Sequence, residues 1–316
     1  MQAVALGPPR ARHDRMADAP YSAVDLSRLP APDMIEALDF ETILGTAVAR
    51  MKQEMAASGL TFESRDSDPA TKLLQTFTYF SQLARQRIND AGRAVMPAYA
   101  VKSDLDNIAA RTGIARKVIT PADESTGTPA VMESDDDFRR RIVLGSEGYS
   151  VAGPEGAYIF HALSADADVS DASAISPAPG EVLVSILSRS GNGTASPALI
   201  AKVLTYLSDD TRRPLTDYVT VQSAQLVEYE IDYDLTTYIG PDGAVVYAAS
   251  RAAVDAYVAQ SRRLGMDITR SAIFAAAHVA GAQNIDLHSP AADITISRTQ
   301  APLCTGVTAR HLGNGE

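Results

Sequence analysis

The sequence has no tryptophan and only one cysteine, Cys304, among its 316 residues. A single cysteine cannot form a disulfide within the chain, which is typical of a protein made in a reducing cytoplasm. Aromatic residues make up only 6% of the chain, so a buried interface must rely mainly on Leu, Ile, Val, Met and Tyr side chains. No apolar run approaches the roughly 18 residues of a membrane-spanning helix, so the sequence does not predict membrane insertion.

Positive charge is also scarce, because 28 Lys and Arg residues face 39 Asp and Glu residues and leave a net charge of −11. This acidic balance argues against a nucleic-acid-binding surface, which needs a basic patch. It favours solubility and keeps free subunits apart until they meet a complementary surface. The hydrophobic content of 46% and the charged content of 21% are ordinary for a soluble globular protein, and the length allows two or three packed units.

Residues 1–23 show almost no apolar pattern and are predicted to form a loose N-terminal extension. Arg10, Arg12 and Arg15 lie among Ala, Pro and Gly, without an amphipathic stripe and without the apolar core of a signal peptide. A transit peptide is conceivable, and Met16 is an alternative start of the translated chain.

Residues 24–118 are predicted to form a helical region. Gly59 ends the first helix, Asp68 and Pro69 form the cap and the first residue of a second helix, and a third helix is expected over 105–111. The first helix has an apolar stripe with three- and four-residue spacing, formed by Phe40, Ile43, Leu44, Ala47, Val48, Met51 and Met55. The second helix has a similar stripe, formed by Leu73, Leu74, Phe77, Phe80, Ala84 and Ile88.

Residues 119–168 are predicted to form a middle region that mixes loops with helices. Ser134 is followed directly by three aspartates at 135–137. A serine cap with carboxylates in the first turn favours a helix start, because the carboxylates interact with the positive end of the helix dipole. Gly153 and Pro154 open the next helix.

Residues 169–303 alternate strands with helices, which predicts an α+β sandwich of the split βαβ, ferredoxin-like type. The chain as a whole is therefore assigned to the α+β class. The clearest strand is 225–238, where apolar and acidic side chains alternate, so the acidic face is expected to meet solvent. Residues 304–316 are predicted to form a C-terminal tail.

Two segments resemble motifs that carry chemistry. The glycine-rich segment 191–196 lies between a predicted strand and a predicted helix, as a dinucleotide-binding fingerprint does, but Ser196 replaces the third glycine. The segment around Ser150 resembles the Gly-x-Ser-x-Gly pattern of hydrolases, but Ala152 replaces its last glycine. The element before Ser150 is also predicted to be a helix rather than a strand. Ordinary turns and helix starts explain both segments better.

The sequence predicts neither a metal site nor a cofactor. Asp135, Asp136 and Asp137 are consecutive, and consecutive helical residues fan out by about 100° each, so these three cannot converge on one ion. They also lack the alternating spacing and the glycine of a calcium loop. The histidines are scattered without ligand spacing, and Cys304 stands alone.

A series of longer strings resembles one known family. The strings are TPAVMESDDDFRRRI at 128–142, SVAGPEGAY at 150–158, SADADVSDAS at 164–173 and SPAPGEVLVSILSR at 176–189. Their order is similar to that of the baseplate assembly protein J family of contractile-tailed phages. Shorter matches, such as LPAPD at 29–33, extend the resemblance over about residues 24–305.

The resemblance implies a structural protein and not an enzyme. Members of this family are wedge subunits of the tail baseplate of contractile phages or phage-derived tailocins, made in the host cytoplasm and located in the virion. They surround the central hub and spike, link into a ring, and carry the signal from host contact to sheath contraction. The implied partners are tail protein I-like and lysozyme-like, W-like wedge proteins, and other copies of the same chain. A component of a related contractile injection system is an alternative, as is a nucleotide-binding or hydrolytic enzyme.

The resemblance also indicates where an interface should lie. N-terminal helices of similar wedge subunits join helices of their neighbours in a shared bundle. We therefore predict that the stripe from Phe40 to Met55 faces another chain, where Met51 and Met55 suit a surface that adapts to unlike partners. The plainer alternative is that this stripe packs the helix on its own domain.

Overall fold

A computed structural model describes residues 26, 29–30, 32–150, 153–240 and 242–315. The predicted N-terminal extension at 1–23 therefore lies outside the described residues. The chain divides into two compact units, one of residues 24–116 and a larger one that contains residues 117–316. This division falls close to the predicted boundary at residue 118.

The smaller unit is helical, as its periodicity predicts. Helix α1 spans Phe40–Ala57, α2 spans Pro69–Ala94 and α3 spans Lys102–Ala110. Asp39 caps α1 by accepting a hydrogen bond from Thr42 N at 2.8 Å, and Asp68 caps α2 by accepting one from Ala70 N at 2.9 Å. These caps satisfy backbone N–H donors that have no partner within the helix. Because Asp is a preferred residue for this role, the sequence predicts both helix starts.

The larger unit begins with a β-hairpin and two helices. Strands β1 (Val118–Thr120) and β2 (Val131–Met132) pair antiparallel, and helices α4 (Asp135–Leu144) and α5 (Glu155–Ala165) follow. Ser134 caps α4 as predicted, accepting a hydrogen bond from Asp137 N at 3.2 Å. The predicted middle region belongs to this unit, because α5 packs on the first of the strands that come next.

The first sheet of the larger unit has three strands in the order β3-β4-β5. Strands β3 (Val169–Ile175) and β4 (Glu181–Ser188) are antiparallel, while β5 (Tyr218–Ser223) runs parallel to β4. Helix α6 (Pro197–Leu207) connects β4 to β5, as a parallel pair requires. The core of this sheet is a cluster of buried side chains from α5, α6 and the strands, including Tyr158, Val184, Ile186, Val203 and Leu207.

The second sheet also has three strands, in the order β7-β6-β8. Strand β6 (Gln225–Tyr238) is central, β7 (Ala282–Ser289) is antiparallel to it, and β8 (Gln300–Gly315) is parallel to it. Helices α7 (Gly243–Ser261) and α8 (Arg270–Ala277) lie between β6 and β7 in the chain. The predicted inward face of β6 is confirmed, because these side chains are buried: Tyr229, Ile231, Tyr233, Leu235 and Thr237.

The α+β class is confirmed, but the strands differ from the predicted arrangement in two respects. They form two three-stranded sheets instead of one ferredoxin-like sandwich, because β5 and β6 are separated only by Ala224 yet pair with different neighbours. The predicted C-terminal tail at 304–316 is wrong for residues 304–315, which belong to strand β8 and pair along the length of β6. The glycines at 306, 313 and 315 weaken the strand pattern of this segment.

A buried ion pair fixes the base of the hairpin to helix α4. The Arg141 guanidinium donates two hydrogen bonds to the Glu133 carboxylate, from Nε at 2.8 Å and from a terminal nitrogen at 2.7 Å, and both side chains are buried. The Glu133 carboxylate also accepts a hydrogen bond from Lys117 N at 3.1 Å. The pair therefore holds both ends of the hairpin in one geometry.

Breaking this pair on one side should destabilise the larger unit strongly. We expect Glu133→Gln to lower the free energy of unfolding by about 3–5 kcal/mol, because it leaves the Arg141 charge buried without its partner. The double variant Glu133→Leu/Arg141→Met removes both charges and should recover most of that loss. Urea unfolding of the three proteins measures the difference, and equal stability of the two variants would contradict a buried, coupled pair.

Candidate assembly interface

The predicted interface stripe on α1 lies half-buried within its own unit. None of its seven side chains is fully buried and none is fully exposed, because α1 packs against α2. The plainer alternative thus accounts for part of the stripe. An aspartate at Leu44 would disturb the packing on α2 as well as any contact with another chain, so that substitution cannot separate the two roles.

The rotation of α2 about its axis is fixed by its polar side. Asn89 donates a hydrogen bond from Nδ2 to Glu36 O at 2.9 Å and accepts one at Oδ1 from Glu36 N at 3.1 Å. Arg85 forms an ion pair with the Glu36 carboxylate at 3.1 Å. A Cβ at Gly92 would lie 2.9 Å from Met34 Cε, so the segment before α1 approaches the helix closely there. The buried positions of α2 are consequently polar or small: Thr71, Thr78, Asn89 and Gly92.

This rotation turns the apolar side of α2 outward. We define the α2 stripe as Leu73, Phe77, Phe80, Ala84 and Ile88, which follow one another at spacings of three and four residues. Its four large side chains are 72%, 69%, 61% and 62% exposed at Leu73, Phe77, Phe80 and Ile88, respectively. A contiguous exposed apolar surface of this kind usually marks a site of protein–protein contact. The sequence shows this stripe but does not identify it as an interface, because periodicity cannot tell which face of a helix its own domain covers.

The glycine-rich segment at 191–196 is a tight turn and a helix start. Gly191 and Gly193 have positive φ values of 60° and 104°, and Asn192 Oδ1 accepts a hydrogen bond from Thr194 N at 3.1 Å. Ser196 caps α6 by accepting one from Leu199 N at 3.2 Å. The hydroxyl of Ser196 therefore occupies a backbone donor that a bound phosphate would otherwise use.

Ser150 does not lie on a strand-to-helix elbow. It follows the short 3-10 helix Glu147–Tyr149 and donates its backbone N–H to Glu147 O at 3.1 Å. A nucleophile elbow requires a strand before the serine. Ser150 therefore has the turn role that the plainer interpretation gave it.

The three aspartates of α4 do not converge, as their spacing predicts. Asp136 bonds Arg139 at 2.7 Å, and Asp137 forms an ion pair with Arg189 at 3.0 Å. No group of three or more His, Cys, Asp or Glu side chains suited to a metal ion occurs among the described residues. No helix in that part of the chain is long and apolar enough to cross a membrane.

A lysine with a strongly perturbed pKa lies beside the Glu133–Arg141 pair. Burial, with a smaller effect from the nearby Arg141 charge, lowers the pKa of the Lys117 ammonium to about 8. Perturbed pKa values are a common sign of a catalytic site. The cavity here measures only about 10 Å³, which is about the volume needed for one water molecule. Lys117 donates to the backbone carbonyls of Leu163 and Asp166, so its role is structural.

A larger cavity, of about 490 Å³, lies near the start of α5. Two of its lining residues, Glu155 and Arg298, form an ion pair with each other. A third, Tyr158, donates its hydroxyl to the Asp217 carboxylate at 2.7 Å. The hydroxyls of Ser297 and Thr299 are hydrogen-bonded to each other at 3.2 Å. These contacts pair the named side chains with other groups of the chain and do not form a nucleophile with a general base.

An α+β protein with a 26-residue helix that exposes its apolar side has the character of an assembly protein, because large exposed apolar patches usually mark contacts with partners. Family models agree: the baseplate J-like N-terminal domain matches residues 66–123, the central domain 150–223 and the C-terminal domain 229–310. Baseplate protein J of Escherichia phage P2 is 48% identical over 291 residues, which cover 89% of this chain and 95% of that protein. The chain therefore belongs to the baseplate J-like family.

A solved structure was also matched, the cryo-EM structure of the six-fold symmetrised baseplate of the anti-feeding prophage. The TM-score is 0.37 with 12% identity, over 56% of this chain and 42% of that chain. Family membership rests on the family models and on the phage P2 relative. Family membership identifies the chain as a structural protein of the tail baseplate, and the chain is therefore located in the virion.

Proposed function

We propose that this chain is a wedge subunit that joins the baseplate through its helical unit. In this proposal the α2 stripe, together with the half-buried stripe of α1, packs against helices of neighbouring baseplate proteins. The neighbours are tail protein I-like and W-like wedge proteins and further copies of this chain, arranged in a ring around the hub and spike. The ring transmits host contact to sheath contraction. The observation that carries the proposal is the exposed apolar side of α2.

The chemistry of the α2 stripe favours burial against another helix. A large apolar side chain contributes about 1.5–3 kcal/mol when it moves from water to full burial. Four such side chains therefore provide several kcal/mol toward association, from which the costs of ordering the partners are subtracted. Three- and four-residue spacing also matches the packing of ridges into grooves between two helices.

The proposed role includes no catalytic step. The two motif-like segments are a turn with a capped helix and a turn after a 3-10 helix. The charged cluster at Lys117 encloses no space for a substrate. Surface complementarity is then sufficient for the function: an apolar centre, a polar rim and satisfied hydrogen bonds.

Complex formation tests this proposal. The purified chain should form at most small oligomers, because its net charge of −11 keeps copies apart. Co-expression with the neighbouring tail proteins should yield larger complexes of defined mass. Sedimentation velocity or light scattering after size-exclusion chromatography measures both states. A chain that stays strictly monomeric with every wedge partner present would contradict a wedge subunit.

A further inference from the structure

Helix α2 has the opposite charge balance from the rest of the chain. It contains four basic residues and one acidic residue, Lys72, Arg85, Arg87, Arg93 and Asp90, within a chain whose net charge is −11. Two of the basic residues are paired within the smaller unit, since Arg85 contacts Glu36 at 3.1 Å and Arg93 contacts Asp90 at 3.6 Å. Their charges are thus compensated before any partner arrives.

Lys72 and Arg87 lack such compensation from the described residues. Lys72 donates a hydrogen bond to the neutral amide of Gln75 at 3.1 Å, and Arg87 is exposed. Neither forms an ion pair within the part of the chain that the structure describes. With about 100° of rotation per residue, both side chains project on the same side of the α2 stripe. At about 1.5 Å per residue they lie about 22 Å apart along the helix.

A second copy of this chain offers no described helix that complements this edge. Covering the span from Lys72 to Arg87 takes a helix of about 16 residues. Besides α2 itself, only α1 with 18 residues and α7 with 19 residues are long enough. Each of these two contains equal numbers of acidic and basic residues, and α2 from a second copy would bring like charges together.

We infer that the α2 stripe is covered by an amphipathic helix of a different polypeptide, with carboxylates along the edge that faces Lys72 and Arg87. The carboxylates are separated by about four helical turns, which matches the distance between the two cations. This inference rests on the proposed function and specifies the partner chemistry at the same surface. Complementary rim charges of this kind act mainly on the association rate and on discrimination between partners.

The test measures how fast the purified full chain associates with its wedge partners, which are expressed together and purified separately from it. The rate is measured at about 50 mM and at about 500 mM NaCl. For the wild type, the rate should fall as salt rises. The variant Lys72→Glu/Arg87→Glu should associate about tenfold more slowly at low salt, and its rate should no longer fall with salt. A matched control, Lys52→Glu/Arg111→Glu, makes the same charge change at exposed positions outside α2 and should keep the wild-type salt dependence.

The outcomes separate this inference from the proposed function. If Phe77→Asp abolishes binding but the α2 charge reversal leaves the rate unchanged, the partner edge is not acidic and only this inference fails. If the charge reversal accelerates binding, the edge is basic and the inference also fails. If the purified chain alone forms a dimer that Phe77→Asp breaks, the occupant is a second copy. If Phe77→Asp binds as the wild type does, the α2 stripe is not an interface and the proposed function itself fails.

Discussion

Replacing Phe77 and Phe80 by aspartate is expected to abolish incorporation of the chain into baseplates while leaving its melting temperature close to that of the wild type. Both side chains are largely exposed on the free chain, so the substitutions remove little burial. In the assembled particle they would place two carboxylates in an apolar interface, where each unpaired charge costs several kcal/mol. Thermal unfolding of the purified variant and its recovery in assembled particles measure the two effects.

A control with the same added charges isolates the position. Ala49 and Gln53 are exposed on α1, away from its apolar stripe, so Ala49→Asp/Gln53→Asp should be incorporated almost normally. Normal incorporation of the Phe77→Asp/Phe80→Asp variant would show that the α2 stripe is not an interface. A large loss of its melting temperature would show that the free chain covers the stripe itself.

The opposite behaviour is expected for Ile231→Asp. Ile231 lies in the central strand of the second sheet, is only 1% exposed, and contacts a cluster of buried residues from β6, β7, α7 and α8. A carboxylate there must be buried without a partner or protonate, so we expect a loss of several kcal/mol in the free energy of unfolding. This is comparable to the whole stability of many domains. The larger unit should therefore be unfolded or precipitate at ordinary temperatures.

The neighbouring residue provides the control for this variant. Glu230 is exposed on the opposite face of the same strand, so Glu230→Gln should change the free energy of unfolding by no more than about 0.5 kcal/mol. Urea unfolding curves followed by circular dichroism compare the two variants directly. If Ile231→Asp were as stable as Glu230→Gln, the inner face of β6 would not be the core of this sheet.

Local sequence signals predicted the elements whose residues carry their own pattern. Asp68 followed by Pro69 marks the start of α2 because both residues act within the first turn. The alternation in β6 identifies its inner face because one side is buried by α7 and α8 along nearly its whole length. In both places, neighbours in the sequence are sufficient to determine the structure.

Features that depend on distant residues were missed. Strand β8 looked like a tail because its backbone is stabilised by pairing with β6, about 75 residues earlier in the chain, and not by its own pattern. The outward rotation of α2 depends on hydrogen bonds between Asn89 and the backbone of Glu36, which lies 53 residues away in the sequence. Helical periodicity gave both apolar stripes of the smaller unit, yet only this contact shows which of them remains exposed.

A reconstruction of the assembled baseplate at side-chain resolution tests the central claim most directly. The account predicts that Leu73, Phe77, Phe80 and Ile88 are buried against a helix of a different polypeptide, with carboxylates of that helix close to Lys72 and Arg87. Finding the α2 stripe exposed to solvent in the assembled particle, or covered by residues of its own chain, would contradict it.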